Sequence, residues 1–149
     1  MGGEMIMYRA TSISAGRQAG SPLSGNGWKI LVVEDEAIIA MDLQYTLRKM
    51  GFGQSEVVHS GEESIRRVAA GRPHLVLMDI KLKGKLDGIQ AAQEILGQYN
   101  VPVVYMTAFG DEGTLEKANG TARYGFITKP FDEATLEATI QSALRRAYN

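Results

Sequence analysis

The sequence predicts an open, doubly wound α/β domain with five parallel strands and helices on both faces. Three observations lead there. Four short runs rich in Val, Ile and Leu, within residues 29–33, 75–79, 103–107 and 125–129, are apolar enough for strands buried on both faces. Segments with helical periodicity lie between them, so the strands connect by crossovers and run parallel. The pattern occupies residues 28–149 alone, far short of the ~250 residues of an eight-stranded barrel.

The elements follow in order. The first strand is expected at residues 29–33 and its helix at about 36–50, with Ile39, Leu43, Leu47 and Met50 on one face and Gly51 just past the end. A weaker second strand lies near 55–59. Ser60-Gly61-Glu62-Glu63 then reads as a capping box opening a helix that stops near Gly71, before Pro73. The third strand spans 74–79, and Asp87-Gly88-Ile89-Gln90 caps the next helix in the same manner. Pro102 opens the fourth strand, where a missing donor matters least. Asp111 is placed to cap a fourth helix, the least apolar of the set. The fifth strand is expected at 126–128, and Asp132 caps a last helix with Leu136, Ile140 and Leu144 spaced four apart.

Residues 1–27 differ from all this. They hold six glycines, four serines and Pro22 with no sustained period, and read as a flexible tail or linker in which only residues 5–8 form an apolar patch. Residues 28–149 form the folded domain.

Parallel strands put their C-terminal ends on one edge, and open α/β sheets bind ligands in the crevice where the strand order reverses. Right-handed crossovers leave that point between the first and third strands, as in the order 2-1-3-4-5 of flavodoxin-like sheets. Each strand ends in a group suited to phosphoryl chemistry: Glu34 and Asp35 after the first, Asp79 after the third, Thr107 after the fourth and Lys129 after the fifth. An aspartate there can attack phosphorus and form an acyl phosphate. Neighbouring acids can hold Mg²⁺, which prefers oxygen ligands. A lysine supplies fixed positive charge to the transferring group. Taken singly, each residue has a plainer explanation. Acids suit a helix N-terminus, threonine is common at strand ends, and a lysine before proline is often a surface residue.

Composition excludes other classes. A net charge of -1 and no basic stripe disfavour a nucleic-acid partner. The absence of cysteine removes disulfides, thiolate metal sites and cysteine nucleophiles, and fits a reducing cytoplasm. No apolar run approaches membrane-spanning length, so neither a membrane location nor a membrane partner is expected. His59 and His74 are too few and too far apart for a metal cluster.

The segments Val33-Glu34-Asp35-Glu36, Leu77-Met78-Asp79-Ile80, Met106-Thr107-Ala108 and Lys129-Pro130-Phe131, in that order, resemble the response-regulator receiver domain of two-component signalling. The resemblance covers residues 28–148. It implies a phosphoacceptor switch rather than a metabolic enzyme, with Asp79 taking a phosphoryl group from a histidine kinase or phosphotransfer protein. It implies Mg²⁺ held by Asp35, Asp79, the backbone carbonyl of Lys81 and, through water, Glu34. It also implies a cis Lys129-Pro130 bond, and a switch in which Thr107 moves toward the modified aspartate while Phe126 turns inward. No DNA-binding output domain follows the last helix in this chain. Output would therefore pass to a downstream protein through the face of the fourth helix, fifth strand and fifth helix, including Lys117, Arg123 and Tyr124, as a monomer or weak homodimer.

Two features depart from the family pattern. Lys83 stands where many receivers carry proline, and the loop at 80–88, with Lys81, Lys83 and Lys85, is one residue longer than the commonest form. The lysines can attract a phosphodonor or simply form a solvated loop. Other functions fit less well. An aspartyl-phosphate hydrolase would place a second acid where Lys81 stands, and a nucleotide- or flavin-binding domain would want a phosphate-binding loop where Glu34 and Asp35 stand. A degenerate receiver would have lost part of the set.

Overall fold

The computed structural model describes residues 27–118 and 120–149. The expected tail, apart from Gly27, lies outside the described residues.

Five parallel strands form one sheet in the order β2-β1-β3-β4-β5. They are β1 (Ile30–Val33), β2 (Glu56–Val58), β3 (Leu75–Asp79), β4 (Val103–Ala108) and β5 (Phe126–Lys129). Four α-helices accompany them: α1 (Ala37–Lys49), α2 (Gly61–Gly71), α3 (Gly88–Tyr99) and α4 (Glu133–Tyr148). The expected order and fold class are those observed.

Alternation along each strand divides the core into two layers. Ile30, Val32, Leu75, Leu77, Val104 and Met106 point to one face, where Leu43 and Leu47 of α1 and Leu136, Ile140 and Leu144 of α4 cover them. Leu31, Val33, Val76, Met78, Val103 and Tyr105 point to the other, against Val68 of α2 and Ile89 and Ile95 of α3. Both sheet faces are dry, which is why the strands are continuously apolar rather than alternating. Leu77 at 0 % exposure illustrates the scale, since full burial of such a side chain is worth about 1.5–3 kcal/mol.

The caps are mostly as expected. Asp87 and Gln90 make both arms of a capping box, and Asp132 accepts from Thr135 N. At α2 the box is modified. Ser60 Oγ accepts from Glu63 N, but Glu63 Oε1 takes the amide of His59, one residue earlier than the usual reciprocal arm. The buried stripe of α1 is Ala40, Leu43 and Leu47, not one led by Ile39. The small Ala40 lets the helix lie close on the sheet, which leaves Ile39 38 % exposed and Met50 at the margin.

The expected fourth helix is a 3₁₀ segment, Glu112–Ala118, without a side-chain cap from Asp111. Gly113 lies within it, Gly110 and Gly120 flank it at positive φ, and Ala118 is its buried residue. With so little apolar surface to bury and a glycine inside, nothing offsets the low helical propensity of the stretch. Among the described residues, no helix is long and apolar enough to cross a membrane.

Candidate functional site

The strand order reverses between β1 and β3, and the chemistry-bearing residues meet at that edge. Glu34 and Asp35 follow β1 directly, Asp79 ends β3, Thr107 lies near the end of β4 and Lys129 ends β5. Together with Glu36, Lys81 and Lys83 they line a crevice of ≈ 200 Å³.

Glu34, Asp35 and Asp79 each bring a carboxylate oxygen within 4.8 Å of the others. Lys129 Nζ closes the group, 2.8 Å from Glu34 Oε1 and 3.4 Å from Asp79 Oδ2. The Lys129-Pro130 peptide is cis, as the resemblance implies. Glu34 is 1 % exposed, and the lysine offsets a burial that would be costly for an unpaired carboxylate.

Three carboxylates facing one ammonium leave surplus negative charge. Burial pushes the Asp79 carboxyl up to about 6 against the pull of Lys129, and the Glu34 carboxylate adds to the rise. Burial also works to lower the Lys129 pKa, but the hydrogen bond to Glu34 and the charge of Asp79 carry it above its ordinary value. An all-oxygen, acid-rich donor set with a net negative charge suits a hard divalent cation such as Mg²⁺, and offers nothing to a soft one.

Around the carboxylates, backbone amides fix orientation. Lys81 N–H donates to Asp79 Oδ1 at 3.1 Å, so the chain folds back over the aspartate as soon as β3 ends. Lys83 N–H donates to Asp35 Oδ2 at 3.1 Å. Proline at this position would have no donor to give, so the departure at Lys83 supplies a contact to the acidic cluster. The Lys81 ammonium turns away to Asp111 at 3.2 Å, an exposed pair worth ~0–1 kcal/mol. The side chains of Lys83 and Lys85 are solvated.

Thr107 is 1 % exposed, and its hydroxyl reaches only the Ala108 carbonyl at 3.4 Å. That is long for an O–H···O bond, leaving the donor poorly engaged beside the crevice. Phe126 is 44 % exposed and stands beside Tyr105 in the β4–β5 register. It faces outward. Every residue expected at the site therefore lines the crevice except Phe126, which the expected switch also places at a distance. Two contributors escaped the sequence reading: the Lys83 amide and the ring of His59, whose Nδ1 lies 3.0 Å from the Glu34 carbonyl oxygen. A backbone amide has no sequence signature, and His59 sits on a strand too short to fix its facing.

The response regulator receiver domain family model matches residues 30–141. A relative from Mycobacterium tuberculosis, the transcriptional regulatory protein PdtaR, is 35 % identical over 118 residues, which is 79 % of this chain and 57 % of that protein. The chain thus spans little more than half the length of that relative. Among solved structures, the receiver domain of NtrX from Brucella abortus is 31 % identical with a TM-score of 0.72, covering 78 % of this chain and 98 % of that one. The signal receiver domain of a modulated diguanylate cyclase from Desulfovibrio desulfuricans G20 is 30 % identical with a TM-score of 0.71, covering 80 % and 94 %.

Proposed function

This chain belongs to the response-regulator receiver family, and on that premise we propose that it is a phosphoacceptor switch with Asp79 as the acceptor. The observation that carries the reading is Lys129 bridging Glu34 and Asp79 within the same cluster as Asp35. A bare surface acid has no use for a second carboxylate and an aimed ammonium.

Receiver domains accept phosphoryl groups from histidine kinases or phosphotransfer proteins. Here the ionised Asp79 attacks the phosphorus of a phosphohistidine. An O–P bond forms as the N–P bond breaks, and the imidazole leaves with the electron pair and takes up a proton. Lys129 faces the transferring group and stabilises the charge on its oxygens. Lys81 N–H holds one Asp79 oxygen and so orients the other. Water attacking phosphorus later breaks the same O–P bond and restores Asp79. The chain acts as a switch and not as a metabolic enzyme.

Receivers generally bind Mg²⁺ at such an acidic pocket, and Asp35, Asp79, the Lys81 carbonyl and, through water, Glu34 are the groups to hold it here. The bound cation supplies positive charge that relieves repulsion among the carboxylates and toward the incoming phosphate.

Phosphorylation gives the Thr107 hydroxyl an anionic acceptor, a stronger partner than the Ala108 carbonyl. Movement of Thr107 vacates space beside β5, and Phe126 turns in to fill it, shifting the population between two packings. The readout is the face formed by the 3₁₀ segment, β5 and α4. Arg123 and Arg146 lie 5.5 and 5.9 Å from the Tyr124 ring there. A downstream protein or a second copy of the chain binds that face.

The test is incubation with acetyl phosphate and Mg²⁺ followed by intact mass. One phosphoryl adduct is expected, lost in Asp79→Asn and with chelator. An unmodified mass in folded protein overturns the reading, and turnover of many equivalents of a phosphate ester would favour a hydrolase instead.

A further inference from the structure

The first turn of α2 touches both loops that carry acids into the crevice. On one side, His59 contacts the Glu34 carbonyl, and Glu34 N–H donates to Val58 O at 3.1 Å. On the other, Gly61 packs so closely under the β3–α3 loop that a Cβ there would stand 3.0 Å from the Leu86 carbonyl oxygen.

That loop, residues 80–87, is anchored at its ends. Lys81 N–H holds Asp79 at one end. At the other, the Asp87 capping box and the Gly88 N–H to Ile80 O bond fix the start of α3. Its middle has polar contacts on two sides only: Lys83 N–H reaches Asp35 on the crevice side, and the Glu62 carboxylate lies on the α2 side. The Glu62 oxygens stand 3.6 and 3.8 Å from where a Cβ of Gly84 would be, and Gly84 takes φ +105°, a conformation L side chains rarely adopt. Glu62 Oε1 is buried beneath the loop without a hydrogen-bond partner, so the carboxylate acts as an anion against a row of amide dipoles. Its own amide, opposed by desolvation, and those of Leu86 and Lys85 hold its pKa below the ordinary carboxylate value.

We propose that Glu62, outside the crevice, is a positioning residue that fixes the middle of the 80–87 loop so that the Lys83 amide sets the orientation of Asp35. The loop carries two solvated lysines, Lys83 and Lys85, whose mutual repulsion favours opening it, and Glu62 is the anion that opposes this. Its consequence for metal uptake rests on the phosphoacceptor reading, whereas the geometry does not.

The test compares wild type, Glu62→Ala and Glu62→Gln, the last keeping an acceptor oxygen without the charge. Amide hydrogen exchange is read by NMR in the metal-free protein, and Mn²⁺ affinity by calorimetric titration. In Glu62→Ala, exchange at Lys83 is expected to speed about tenfold while Leu77 in β3 is unchanged. The Mn²⁺ dissociation constant is expected to rise several-fold, with Glu62→Gln between the two. Unchanged exchange at Lys83, an equal rise at Leu77, or wild-type Mn²⁺ affinity in Glu62→Ala each overturns the proposal. A wild-type protein that takes up neither Mn²⁺ nor a phosphoryl group defeats the phosphoacceptor reading separately, and the exchange result still decides whether Glu62 holds the loop.

Discussion

Lys129 and Glu34, 95 residues apart in sequence, form a 2.8 Å ion pair in which the carboxylate is almost wholly buried. Without the ammonium, Glu34 would face Asp79 and Asp35 with no compensating charge. Lys129→Ala is therefore expected to fold, because the lysine lies at the rim of the core. In chelator its stability should fall by about 1–3 kcal/mol, below the 3–5 of a fully buried broken pair because the lysine is partly solvated. Urea denaturation with and without Mg²⁺ measures this, the deficit shrinking when the cation is present. The same variant should still be modified, slowly, but without the change at Phe126 that follows in wild type. An unaltered Phe126 resonance shift on phosphorylation would remove Lys129 from the switch.

The elevated carboxyl of Asp79 makes a second prediction. A buried acid pushed up to about 6 sits ionised at neutral pH at a cost to the fold. Asp79→Asn keeps the shape, can still accept from Lys81 N–H, and removes the charge. The variant should be more stable than wild type in metal-free buffer by about 1–3 kcal/mol, and should gain less from Mg²⁺. Equal stability in chelator would show that the crevice tolerates its surplus charge without strain on the fold.

These energetic links were legible in the sequence to different degrees. Strand order and site membership were, because apolar runs such as Leu75–Asp79 bury on both faces and place their last residue at one edge. The pairing of Lys129 with Glu34 was not, since either acid or Asp79 could have received the ammonium, and only the packed distances decide. The 3₁₀ segment was misjudged because Asp111 resembles a helix cap, whereas Gly113 and the scarcity of buried side chains prevail. The Lys83 amide was invisible for a simpler reason. Backbone donors carry no residue identity, and the substitution of lysine for proline shows only that a donor exists, not where it points.

A last prediction concerns the opposite edge of the sheet, away from the crevice. Lys29 N–H donates to His74 Nδ1 at 2.9 Å, and the His74 amide returns a bond to the Lys29 carbonyl at 2.9 Å. Trp28 meets the ring edge-on at 4.8 Å, and Tyr148 donates its hydroxyl to the His74 carbonyl at 2.7 Å. Burial, then the nearby Lys29 charge, lowers the His74 pKa from its ordinary 6.5. A lowered histidine pKa means that the unfolded chain binds the proton more readily. The contribution of His74 is thus complete above pH 6.5, declines as pH falls through that value, and stops declining below the folded-state pKa. Protonation also removes the acceptor that Lys29 N–H uses. His74→Asn offers an amide oxygen at a similar place and does not titrate, so its denaturation midpoint should fall less than that of wild type over this interval. Parallel curves for the two proteins would mean that the ring takes up a proton without disturbing the join between β1 and β3.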